Sequence, residues 1–196
     1  GQARALAGLG YTALAVDMYG DGRQANDPDT AGKLSGGLRK DPSTWRARFD
    51  AAHDLLRRHK TVDGKRIAAV GHSFGGSTVL EAARRGRDLA GVVSFYGDMT
   101  TQNPAAKGKT KAKVLVMYPT EDPMLPAEQL NKFKQEMDAA KVDYRVVSFP
   151  GAKHLFNRPD ADEYGKKFNM PLAYNAEADK KSWAEMQAFF DRLFKK

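Results

Sequence analysis

The sequence predicts an α/β fold with a mainly parallel sheet and helices on both faces. Three observations predict it. Short apolar runs of strand length alternate with longer segments of helical period, the order that builds βαβ units. The runs are nearly continuous in apolar residues, the mark of strands covered on both sides. The chain has 196 residues, 41% hydrophobic and 29% charged, which suits one globular domain over residues 1–196 with a sizeable core.

In order, residues 2–9 read as a helix stopped by Gly10. Tyr11 to Tyr19 (YTALAVDMY) reads as a buried strand, and Gly20 to about Pro42 as a polar loop. Ser43 is the candidate cap of a helix from Thr44 to about Lys60, with Trp45, Phe49, Ala52, Leu55 and Leu56 as its apolar stripe. Arg66 to Gly71 is a second strand, Phe74 to Arg85 a helix, Leu89 to Tyr96 a third strand and 100–110 a loop. Lys113 to Tyr118 is a fourth strand. Pro126 to Ala140 is a helix with Leu130, Phe133 and Met137 on one side, and Tyr144 to Phe149 is a fifth strand. A long polar stretch precedes a last helix, about Ala176 to Phe194, buried through Trp183, Met186 and Phe190. In such sheets function gathers at the carboxyl ends of the strands.

The second strand ends in Gly71-His72-Ser73-Phe74-Gly75-Gly76, a G-x-S-x-G placed between a strand and a helix. A turn this tight strains its central residue and lifts the hydroxyl over the sheet. Its small neighbours are expected because the turn leaves no room for Cβ atoms. The following helix points its N-terminus at the site, and the backbone N–H of Phe74 is a candidate oxyanion donor.

A serine needs a base. Of the four histidines, His53 and His59 lie on the helix before the elbow strand, and His59 sits between Arg58 and Lys60. His72 neighbours Ser73 but points away from it on the elbow, and is expected to line the pocket floor. His154 follows the fifth strand on a loop and is the candidate base. Asp122, in Pro119-Thr120-Glu121-Asp122-Pro123 after the fourth strand, is the candidate acid, with Glu121 and Asp98 as rivals. The order Ser73, Asp122, His154 is that of the α/β-hydrolase fold, each residue after its own strand.

Composition narrows the classes. There is no cysteine, which excludes disulfides, thiolate metal sites and a cysteine nucleophile. Mean hydropathy is −0.60 and no apolar run nears the roughly 20 residues of a membrane span, so a soluble protein of cytoplasm or periplasm without a membrane partner is expected. The net charge of +8 is spread over separate basic pairs, which read as solvated helix faces rather than a nucleic-acid site.

LGYTALAVDMYGDG, GHSFGG, GVVSFYGD, EDPMLPAEQ, PGAKHLF and PLAYNAEADKKSW together resemble the dienelactone hydrolase family along nearly the whole chain. The resemblance implies a compact α/β-hydrolase fold, a small ester or lactone as substrate, no cofactor and no metal. It carries nucleophile, acid and base onto Ser73, Asp122 and His154. It also makes Arg158 a candidate for holding a substrate carboxylate, since a guanidinium fits one through two parallel hydrogen bonds. Where the family usually has Tyr-Cys at the elbow, this chain has His72-Ser73, which favours a serine esterase.

The chain opens at the family's first helix, so the expectation is an N-terminally truncated fold of about five strands. The strands and the second oxyanion donor that precede that helix in the family are absent from this sequence. A weakly active or non-catalytic hydrolase-like fragment is therefore the alternative reading. The gap expected between 11–19 and 66–71 predicts association, most simply a homodimer with residues 1–20 at or near the interface.

Overall fold

The computed structural model describes residues 1–194. The chain forms two compact units, Gly1–Ile67 and from Ala68 onward.

The first unit holds three helices: α1 (Gln2–Gly8), α2 (Pro28–Lys40) and α3 (Pro42–Arg57). The expected loop 20–42 thus contains a helix. Asp27 caps α2 by accepting from the Thr30 N–H at 2.8 Å, Pro28 opens it, and Arg39 and Lys40 close it. These are strong start and stop signals, but the few apolar residues between them hide the period. The cap of α3 is Asp41 rather than Ser43. Asp41 accepts from the Thr44 N–H at 3.1 Å, and the Ser43 hydroxyl donates to the same carboxylate at 2.6 Å. Leu55 is 60% exposed, so the inward face of α3 runs through Phe49 and His53 instead.

Residues 11–19 do not form a strand, and the five-strand expectation falls to four among the described residues. Apolar content alone makes no strand: a strand exists only with a neighbour to share its hydrogen bonds. Leu14 and Val16 are 40% and 41% exposed. The segment is held at its end instead, where the Asp17 carboxylate accepts from the N–H groups of Tyr19, Gly20 and Gly22. Arg48 of α3 adds a bond from Nη1 to the Met18 carbonyl at 2.8 Å.

The second unit is the parallel sheet and its helices: β1 (Ala68–His72), α4 (Phe74–Arg84), β2 (Gly91–Phe95), β3 (Lys113–Pro119), α5 (Ala127–Ala140), β4 (Tyr144–Phe149), α6 (Ala161–Phe168) and α7 (Ala176–Phe194). The strands stand in chain order β1-β2-β3-β4, every pair parallel. Their carboxyl ends therefore line up at one edge, with His72 beside Phe95 and Phe95 beside Met117. β2 is buried at every position and β3 at all but Lys113, as their unbroken apolar runs require.

Helices cover both faces. A Cβ on Gly91 would lie 2.6 Å from Leu193 and 2.9 Å from Phe189, so α7 presses on that face of β2. Ser94, an odd number of residues along and so on the opposite face, lies 2.7 Å from where a Cβ on Gly76 of α4 would sit. Helix α6 lies within the long polar stretch that precedes the last helix; its apolar residues Ala161, Tyr164 and Phe168 share one helical face, a short pattern over eight residues.

A buried ion cluster pins the loop after β2. Arg84, at the end of α4, donates from Nε and Nη2 to Glu136 of α5 at 2.8 and 2.9 Å and from Nη1 to Glu81 at 2.7 Å. Its Nη2 also reaches the Met99 carbonyl at 2.7 Å, while Glu136 accepts from the Ala105 N–H at 2.7 Å. The two parallel charge-assisted bonds to Glu136 fix geometry as well as energy. No helix among the described residues is long and apolar enough to cross a membrane.

Candidate active site

The turn between β1 and α4 is as sharp as its sequence demands. Ser73 sits at φ 50°, ψ −116°, a conformation an L-residue adopts only when its surroundings impose it. Its N–H is tied to the Phe95 carbonyl at 3.0 Å and its carbonyl to the Ser77 N–H at 3.1 Å. Gly71 is obligatory, since a Cβ there would lie 2.0 Å from the Gly75 carbonyl oxygen. Gly76 is equally confined by Ser94 and Gly97. Gly75, however, has open space around its Cβ position, so the expectation that every elbow glycine relieves crowding fails there.

Ser73 stands at the N-cap of α4 but its side chain makes no capping bond. Its hydroxyl is 2.9 Å from His154 Nε2, and His154 Nδ1 is 2.6 Å from Asp122 Oδ2. A carboxylate only accepts, so Nδ1 carries the ring proton and Nε2 presents its lone pair to the hydroxyl. Asp122 is 3% exposed, and its Oδ1 accepts from the Met124 N–H at 2.9 Å, which fixes the plane of the carboxylate. His154 is 7% exposed, on the loop after β4, and its backbone bridges to Leu172. The structure thus brings Ser73, Asp122 and His154 into one hydrogen-bonded line at the carboxyl ends of β1, β3 and β4. Phe74 is the first residue of α4, so its N–H lies beside Ser73 at the positive end of the helix.

The rival acids lie elsewhere. Glu121 is exposed, and Asp98 Oδ1 accepts from the Thr100 N–H, the Thr100 hydroxyl and Gln129 Nε2. His59 Nδ1 pairs with the Thr61 hydroxyl at 2.9 Å on the surface of the first unit.

His72 stacks on Phe95, ring centroids 4.4 Å apart, and burial pushes its pKa down to about 4. Two residues that sequence reasoning did not single out complete this wall. Tyr96, at the carboxyl end of β2 with φ 40°, sets its ring 4.9 Å from the His154 ring. Its hydroxyl donates to Asn157 Oδ1 at 2.6 Å, and Asn157 Nδ2 donates to His72 Nε2 at 3.3 Å. The His72 proton therefore resides on Nδ1. Burial also pushes the Tyr96 hydroxyl pKa upward, so both groups are neutral near pH 7. The strand-end rule that picked out Ser73 applies equally to Tyr96, and Asn157 follows His154 closely in sequence; both were findable on position alone.

Arg158, the candidate for holding a substrate carboxylate, has a partner within the chain. Its Nε and Nη2 donate to Asp160 Oδ1 and Oδ2 at 2.6 and 2.8 Å, and the guanidinium lies 4.4 Å over the Tyr164 ring. The parallel pair of bonds expected for a substrate carboxylate is made within the chain.

The sequence model of the dienelactone hydrolase family matches residues 2–194. A protein of Yersinia pestis provisionally named a carboxymethylenebutenolidase is 27% identical over 200 residues, covering 95% of this chain and 70% of the relative. Its counterpart in Salmonella typhi is 29% identical over 177 residues, covering 84% of this chain and 65% of the relative, so the chain spans about two thirds of these curated relatives. Among solved structures, a dienelactone hydrolase-like promiscuous phosphotriesterase from metagenomic libraries is 37% identical with a TM-score of 0.88, covering 98% of this chain and 79% of that one. With its parallel sheet, its strand-to-helix elbow and a match along almost its whole length, the chain belongs to the dienelactone hydrolase family.

Proposed function

We propose that the chain is a serine hydrolase that cleaves small carboxylic esters or lactones through an acyl-serine intermediate. The observation that carries the reading is the line Asp122–His154–Ser73, at 2.6 and 2.9 Å, ending on a hydroxyl held at positive φ. Family membership and relatives named carboxymethylenebutenolidase support the substrate class.

In this reading Ser73 Oγ attacks the carbonyl carbon as its proton passes to His154 Nε2. Asp122 holds the tautomer and stabilises the imidazolium. The carbonyl oxygen becomes an oxyanion, with the Phe74 N–H and the N-terminus of α4 as donors from this unit. The tetrahedral intermediate collapses, the ester C–O bond breaks, and the leaving alkoxide takes the proton from His154. Water then attacks the acyl-serine, giving its proton to His154, which returns it to Ser73 as the acid departs. His72 forms part of the pocket floor, a neutral aromatic surface beside the reacting carbon.

The test is hydrolysis of p-nitrophenyl acetate at neutral pH by the wild type and by Ser73→Ala. Steady turnover that falls to the uncatalysed rate in the variant is expected. A wild type no faster than Ser73→Ala would overturn the reading and leave a non-catalytic hydrolase-like module.

A further inference from the structure

We propose that Asp160 is a built-in competitor for Arg158, occupying the guanidinium edge that would otherwise draw a substrate carboxylate and so setting the site for uncharged esters. The inference rests on the ester-hydrolase reading of Ser73 and names the substrate class for it.

Arg158 stands next to the site. It follows Asn157, whose carboxamide bridges the Tyr96 hydroxyl and His72, and Tyr96 in turn packs its ring 4.9 Å from His154. The positive charge of Arg158 also acts on the Tyr96 hydroxyl, opposing the rise that burial causes. A lone guanidinium in this position would attract anionic substrates. It is not alone. Asp160 takes both donors of its Nε–Nη2 edge, and Tyr164 lies against its face at 4.4 Å.

Asp160 gives up its usual work to do this. It is the N-cap residue of α6, a position where Asp commonly accepts from the helix's first N–H groups, yet its side chain makes no such bond. Asp162 and Glu163 supply negative charge to that first turn in its place. The carboxylate has therefore turned away from the helix and toward Arg158, only two residues back. The side chains are 42% and 44% exposed, so a substrate carboxylate could reach the pair, but it must displace a partner already held in place. A tethered carboxylate competes at high effective concentration with one arriving from solution.

The experiment compares wild type, Asp160→Asn, Arg158→Gln and the double variant on two aryl acetates that differ only in charge, 4-acetoxybenzoate and its methyl ester. The readout is the ratio of kcat/KM for the anionic substrate to that for the neutral one. Asp160→Asn should raise the ratio by roughly fivefold, the upper end of what an exposed ion pair is worth. Adding Arg158→Gln should abolish the gain. An unchanged ratio in Asp160→Asn, or a gain that survives in the double variant, overturns the inference. Benzoate binding, followed by NMR titration, reads the same competition without turnover. Tighter benzoate binding in Asp160→Asn together with no hydrolysis would uphold the competition and count against the ester reading alone. Equal benzoate affinity in wild type and Asp160→Asn would sink the inference whatever the turnover.

Discussion

Asp122→Asn offers the sharpest test of the proposed mechanism, because the surroundings dictate how the new amide must sit. Asp122 Oδ1 accepts from the Met124 N–H at 2.9 Å, and Oδ2 faces His154 Nδ1 at 2.6 Å. In the variant, an NH2 group must replace one of these oxygens. Placed against the Met124 N–H it would set donor against donor in a buried site, at a cost of about 1–3 kcal/mol. The amide oxygen therefore stays on Met124 and the NH2 group turns to His154. His154 Nδ1 must then accept, which moves the ring proton to Nε2, the atom 2.9 Å from the Ser73 hydroxyl. A protonated Nε2 cannot take the serine proton. The shape is unchanged while the base is switched off, a loss on the order of ten-thousandfold in kcat, or about 5.5 kcal/mol. The assay is p-nitrophenyl acetate turnover at pH 7, with circular dichroism to verify the fold. A loss under tenfold in a folded variant would refute the reasoning, as would Glu121→Gln or Asp98→Asn proving more damaging.

Arg84→Met should destabilise the chain by about 3–5 kcal/mol, read from urea unfolding, because it strands two largely buried carboxylates, Glu81 and Glu136, against each other; an unchanged midpoint would show that the cluster contributes nothing. His72 should make stability depend on pH. Its folded pKa of about 4 lies below the ordinary 6.5, so its contribution is complete above about pH 6.5 and is lost as pH falls toward 4. The stability difference between wild type and His72→Gln should accordingly shrink by about 2–3 kcal/mol over that range, and a constant difference would mean the ring is not desolvated.

The sheet and the hydrogen-bonded line of Ser73, His154 and Asp122 were legible in the sequence for related physical reasons. A parallel strand buried on both faces must be apolar throughout, so GVVSF and KVLVMY stand out, and the residues just beyond such runs fall at one edge of the sheet. That position, with the G-x-S-x-G elbow and the Ser-acid-His order, brought Ser73, Asp122 and His154 together on paper. Residues 11–19 defeat the same reasoning: YTALAVDMY has the composition of a buried strand, but pairing is a property of two segments, and one segment's composition cannot report it. Helices α2 and α6 were missed although Ala31, Leu34 and Leu38 in one and Ala161, Tyr164 and Phe168 in the other stand at i, i+3 and i+7, because so sparse a pattern in a polar, glycine-containing run is hard to see; Asp27-Pro28 was also a readable start for α2. Arg158 is a different case. Its spacing from His154 fixed its neighbourhood, but a guanidinium's partner depends on side-chain direction, and the nearest carboxylate was two residues away in the chain.

The net charge of the chain and the charge a substrate meets are separate quantities. The excess of basic residues comes to +8, yet it is distributed in pairs along the whole sequence. Beyond about 8–10 Å such exposed charges are screened at physiological salt, so they hasten encounters with anions in general and cannot choose among them. On the proposed ester-hydrolase reading, choice is made by the groups around Ser73 and His154. There, burial keeps His72 and Tyr96 uncharged at neutral pH, and Asn157 joins them through dipoles alone. Asp122 spends its charge on His154, and Arg158 spends its charge on Asp160. A wall built this way offers an incoming anion little reason to stay, while dipoles at the start of α4 still serve the negative charge that develops during attack on a carbonyl. If the chain hydrolyses esters as proposed, a basic protein with an electrically quiet site is the arrangement that neutral esters suit.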